Sequence, residues 1–102
     1  MNTNTKDGQK FSLGQIAATP GAIEALNNSG TNPRDLLARH RRGDWGDLTQ
    51  EDKEANEASL IDGSRILSAY RLATGEKIWV ITEAADDNGN RSVSTLLLPE
   101  EY

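Results

Sequence analysis

His40 is the one histidine of the chain. Histidine changes charge near neutral pH, so His40 is the first candidate for a general base or acid. Arg65 and Arg71 are separated by an even number of residues in an alternating stretch, and alternation places both on one face of a strand. Arg91 is a third arginine able to converge there. With His40 packed over that face the set would suit a small metal-independent ribonuclease. In that chemistry a base takes the 2′-hydroxyl proton and cationic groups stabilise the phosphorane. The competing reading is structural: His40 is a packed residue on a helix face, favoured by the helix C-terminus, and the arginines are ordinary exposed strand residues.

A second constellation is electrostatic. From Pro33 to Arg42 there are four arginines (Arg34, Arg39, Arg41 and Arg42) and one acid, and from Asp44 to Asp62 there are seven acids and only Lys53. The arginines suit a clamp for phosphates or for an acidic protein surface, against the alternative of a solvated helix flank paired with the neighbouring acids. The acidic stretch is either a mimic of DNA phosphates or, again, a solvated helix face. Between the two lies Gly43-Asp-Trp-Gly-Asp47. Trp45 is either an exposed anchor for a partner, flanked by Asp44 and Asp47, or a plug folded back on the core. Trp79 is a second candidate anchor, set against its place in the sheet core.

Composition narrows the classes. The chain has no cysteine, which removes disulfides, thiolate catalysis, iron–sulfur clusters and cysteine-based zinc sites. One histidine with scattered acids offers no metal-ligand spacing, so neither metal nor cofactor is expected. A formal charge of −5 argues against general nucleic-acid affinity, leaving only the Arg34–Arg42 patch as a place for it. No apolar run approaches the ~20 residues that cross a bilayer. The polar start, residues 1–10, reads as a flexible arm rather than a secretory signal, and the expected compartment is the cytoplasm. The 102 residues fit one domain, placed at 11–102.

The elements that must position these residues are legible from caps and periodicity. Thr19-Pro20-Gly21 opens a helix that carries Ile23 and Leu26 inward and ends at Asn27, Asn28 and Gly30. Thr31-Asn32-Pro33 opens a second, with Leu36, Leu37 and His40 on one face, stopped by Gly43. Thr49 and Asp52 resemble a capping box for a third, from about Gln50 to Ile61, with Ala55, Ala58 or Ser59, and Leu60 or Ile61 as its thin apolar side. After Gly63 the period becomes two. Strands are predicted over 64–72, 77–83 and 91–98, joined by turns at 73–76 and at Asp86–Asn90. Phe11–Ala18 has room for a short extra N-terminal strand. The result is an α+β domain: about three helices followed by a three-stranded antiparallel meander with two unpaired edges, either monomer or homodimer.

Several stretches together carry a resemblance: Ala18-Thr-Pro-Gly-Ala22, Leu37-Ala-Arg-His40, Gly43-Asp-Trp-Gly-Asp47, Asp62-Gly-Ser-Arg65, Ser68-Ala-Tyr70, Ile78-Trp-Val-Ile-Thr-Glu83 and Leu97-Leu-Pro-Glu-Glu-Tyr102. From Phe11 to Tyr102 the chain resembles a family of short bacterial proteins carried on plasmids and other mobile elements. Some of them are labelled type I restriction enzyme subunit M. No glycine-rich cofactor loop after a strand accompanies that label here. The turn at Ala84–Asn90 is longer and more acidic than the family pattern. The resemblance supplies no catalytic residues. Together with the acidic stretch, the candidate anchor Trp45 and the lack of a complete catalytic set, it points to a non-enzymatic accessory of a mobile element that binds another protein, such as an anti-restriction or anti-CRISPR inhibitor of a host defence system. The alternative class is a small ribonuclease or toxin-like enzyme of barnase or RelE type, using His40, Arg65 and Arg71.

Overall fold

The computed structural model describes residues 8–102. The expected arm over residues 1–10 therefore lies mostly outside the described residues. At its end, the Lys10 amide donates to the Arg41 carbonyl at 2.7 Å.

Three helices form where the caps place them: α1 (Pro20–Ser29), α2 (Pro33–Arg41) and α3 (Gln50–Asp62). Thr19, Asn32 and Thr49 each accept a backbone N–H of the first turn, and proline starts α1 and α2 at a position where its missing N–H is not needed. The strands are β1 (Gln15–Ala18), β2 (Ile66–Arg71), β3 (Lys77–Thr82) and β4 (Val93–Leu97). β2, β3 and β4 are the antiparallel meander, and β1 joins it parallel to β4, giving the order β1-β4-β3-β2. The architecture is thus α+β with a mixed four-stranded sheet. Helices α1 and α2 cover one face, where Ala22, Ala25, Leu26, Leu36 and Leu37 pack on Tyr70, Ile78, Val80 and Leu96. Trp79, expected in the sheet core, is instead half-buried on the other face, where its ring meets that of Tyr102 at 5.7 Å. Glu101 ties this C-terminal turn to the start of α1, accepting from Thr19 Oγ1 at 2.5 Å and from the Gly21 amide at 3.3 Å.

Three expectations about surfaces need correction. Ile23 does not point inward. It is 49% exposed, because α1 packs through Ala22, Ala25 and Leu26. The packing side of α3 is more polar than expected: of the residues named for it Ser59 is buried and Leu60 half-buried, Ala55, Ala58 and Ile61 are exposed, and the other buried residue is Asn56. The meander also lacks the two open edges expected of it. β1 covers the β4 edge, and the outer edge of β2 is closed by two devices. Asn56 donates from Nδ2 to the Leu67 carbonyl at 2.6 Å and accepts the Leu67 amide at 3.1 Å, so its side-chain amide stands in for a neighbouring strand. Next to it, Gly46 forms a parallel bridge with Ala69. Gly46 has φ 78°, and an added Cβ would strike the Ala69 carbonyl, so the bridge requires glycine at this position.

Candidate functional site

His40 is fully buried between α2 and the sheet. Its Nδ1 lies 2.5 Å from Ser68 Oγ and its Nε2 lies 2.8 Å from Thr82 Oγ1. Thr82 Oγ1 is 2.6 Å from Ser94 Oγ, which donates to the Leu13 carbonyl at 2.7 Å. The directions follow from the carbonyl, which can only accept. Ser94 spends its proton on Leu13, so Thr82 donates to Ser94, and Nε2–H donates to Thr82. Nδ1 of the neutral ring then accepts from Ser68. A neutral imidazole satisfies the whole chain of bonds. Burial, with a smaller contribution from the Arg91 charge, lowers the pKa of His40 to about 3. Phe11 meets the His40 ring edge-on at 5.0 Å, and Trp45 does so at 6.1 Å.

The expected ribonuclease constellation does not assemble. Ser68, which His40 touches, alternates with Arg65 and Arg71, so those two arginines lie on the opposite face of the sheet. Arg65 donates to Tyr102 Oη at 2.8 Å and lies 3.6 Å from Glu83. Arg71 lies 3.4 Å from Asp47. The arginine near the histidine is Arg91, and it is engaged elsewhere. It donates to the carbonyls of Ser59, Ser64 and Glu83 and packs over Phe11 at 5.8 Å.

Trp45 is likewise not a surface anchor. It is 4% exposed, and its Nε1 donates to Glu57 at 2.9 Å. The positive φ of Gly43 and Gly46 turns the chain inward on both sides of Trp45, folding the ring beside His40. The arginine patch divides. Arg39 is bonded to Asp44 at 2.7 Å and stacks on Tyr70 at 4.5 Å, while Asp47 is paired with Lys77 at 3.3 Å and with Arg71. These are contacts within the fold. Asp44 is held below the usual carboxylate range by the Arg39 guanidinium, and the buried Tyr70 phenol, pushed up to about 12, donates to the Asp44 carbonyl at 2.7 Å.

Arg34, Arg41 and Arg42 instead share one groove between β1 and α2. One half, of about 360 Å³, is lined by those arginines with Leu13, Ile16, Leu37 and Ala38. The adjoining half, also about 360 Å³, is lined by Ile16, Ala18, Ile23, Leu26, Pro33 and Leu96, and it shares Arg34 and Leu37. Ile16 is 50% exposed. Sequence reasoning found the arginines and missed Ile16 and Ile23. The available signal was helical spacing: Ala22, Ala25 and Leu26 at i, i+3 and i+4 form the inward stripe of α1, and Ile23 falls beside it. Among the described residues no group of histidines and acids is placed to hold a metal ion, and no helix is long and apolar enough to cross a membrane. No family model, curated protein or solved structure matches the chain.

Proposed function

We propose that this chain is a non-enzymatic interaction module that binds another protein through the groove between β1 and α2. The observation that carries this reading is the groove itself: an apolar floor of Ile16 and Leu37 with Arg34, Arg41 and Arg42 along one end. Exposed aliphatic surface bordered by arginine is the composition of a recognition patch. The resemblance to mobile-element proteins, which stands on sequence motifs alone, extends the proposal to a component of a host defence system as the partner, met in the cytoplasm and blocked by occupancy. The ribonuclease reading draws no support from the geometry, because the histidine is enclosed and the two arginines lie across the sheet from it.

The test is a tagged chain with a photo-crosslinking residue in place of the exposed Ile23. Its arginine rim is either intact or carries Arg34→Glu with Arg42→Glu. The expected result is one crosslinked protein captured with the intact rim and lost with the reversed one, at equal melting temperature. Identical capture by both forms, or RNA cleavage by the purified chain that Arg65→Ala abolishes, would overturn the reading.

A further inference from the structure

We propose that the occupant of this groove is an extended acidic peptide segment of the partner, which adds to β1 as a fifth strand. This rests on the reading above and specifies its ligand. The first argument is backbone accounting. Gln15 and Thr19 donate toward β4, to the Ser92 and Leu96 carbonyls at 3.0 Å. Alternation then turns the N–H and C=O groups of Ile16 and Ala18 to the outer edge. Among the described residues no strand lies beyond β1. The opposite edge of the same sheet is closed by Asn56 and by the Gly46 bridge. The fold thus closes one edge and leaves a template at the other. A helix or a small molecule laid in the groove would leave those backbone groups unused, whereas an extended peptide pairs with them.

The second argument is charge. At the Leu13 end, Arg34, Arg41 and Arg42 line the same half of the groove. Three guanidinium groups gathered at one end are matched by carboxylates. At the Ala18 end the lining is Ile23, Leu26, Pro33 and Leu96, which suits an aliphatic side chain. Groove-facing side chains of a strand recur every second residue, about 6.8 Å apart. Antiparallel pairing is the more stable arrangement, so the aliphatic positions precede the acidic ones in the peptide. A second copy of the chain is a poor occupant. Its own residues 9–18 would bring Lys10 and no carboxylate to the arginines.

The experiment is fluorescence polarisation of the full chain with a fluorescein-labelled eight-residue peptide. Its alternate positions run valine, valine, glutamate, glutamate, with threonine between them. Two further peptides carry N-methyl groups on all odd or on all even residues. The expected result is saturable binding that one methylated set abolishes and the other tolerates, because only every second amide faces β1. Arg34→Glu with Arg42→Glu should weaken binding about tenfold or more, and lysine in place of glutamate should do the same. Equal binding of both methylated sets, no saturable binding, or concentration-dependent self-association through β1 would overturn the proposal. If both methylated sets bind alike while crosslinking still needs Arg34 and Arg42, strand addition falls and the interaction surface stands. If crosslinking is indifferent to the arginines, both fall.

Discussion

Acidification to about pH 5 should destabilise this protein through His40 alone. The unfolded chain takes up a proton on His40 near 6.5 and the folded chain only near 3. Throughout that window the unfolded state binds more protons, so stability is complete above about 6.5 and falls as pH falls toward 3. Each unit is worth about 1.4 kcal/mol, so the step from neutral pH to pH 5, about 1.5 units below the unfolded value, removes about 2 kcal/mol. In a domain stable by something like 5–15 kcal/mol this is a large fraction, visible as a fall of roughly 10 °C in Tm. The attribution is clean because the chain has no second histidine and no cysteine. The carboxylates held low by partners (Asp44, Asp47, Asp62 and Glu101) lose their contribution only at more acid pH. The assay is urea unfolding of wild type and His40→Gln at about pH 7.5 and about pH 5. Wild type should lose about 2 kcal/mol between them and the variant almost nothing. Wild-type stability that is flat or rises on acidification would refute the buried neutral imidazole and with it the assignment of His40 to structure.

Other perturbations separate closure of the fold from its surface. Asn56→Ala removes both bonds to Leu67 and leaves a strand N–H and C=O unpaired. It should cost about 2–4 kcal/mol in urea unfolding and promote aggregation in light scattering, through the opened β2 edge. Trp45→Ala should cost about 3–5 kcal/mol by the same measurement, as a core aromatic does. A variant as stable as wild type would show that the ring is not packed. Arg65→Ala and Arg71→Ala remove exposed ion pairs and should each change stability by less than about 1 kcal/mol.

The elements were legible because their signals are local. Thr19-Pro20, Asn32-Pro33 and Thr49 cap the helices that the structure contains, and Gly30 and Gly63 end α1 and α3 in the left-handed conformation. The alternation after Gly63 gave the meander, and Leu36, Leu37 and His40 are buried together as their spacing implied. What was not legible depends on partners distant in sequence. β1 is four exposed residues, and nothing in Gln15–Ala18 announces a parallel pairing with Val93–Leu96. α3 packs through Asn56 and Ser59, so apolar periodicity reached Ser59 only as an alternative to Ala58, pointed to the exposed Ala55, and missed Asn56. For the site, type and spacing gathered seven partner-binding candidates around α2 and the following turn. The structure divides them: Arg39, Asp44, Trp45 and Asp47 are satisfied within the fold, and Arg34, Arg41 and Arg42 face the groove. Parity along β2 correctly put Arg65 and Arg71 together, but it was silent on which face His40 occupies.

The most direct test of the binding surface is amide hydrogen exchange of the full chain, alone and with the valine–glutamate peptide at saturation. The Ile16 and Ala18 amides should exchange freely without the peptide and become strongly protected with it, while Leu67 and Ala69 on the closed edge do not change. Protection confined to the acidic face of α3, or Ile16 and Ala18 amides unaffected by a bound peptide, would contradict the account.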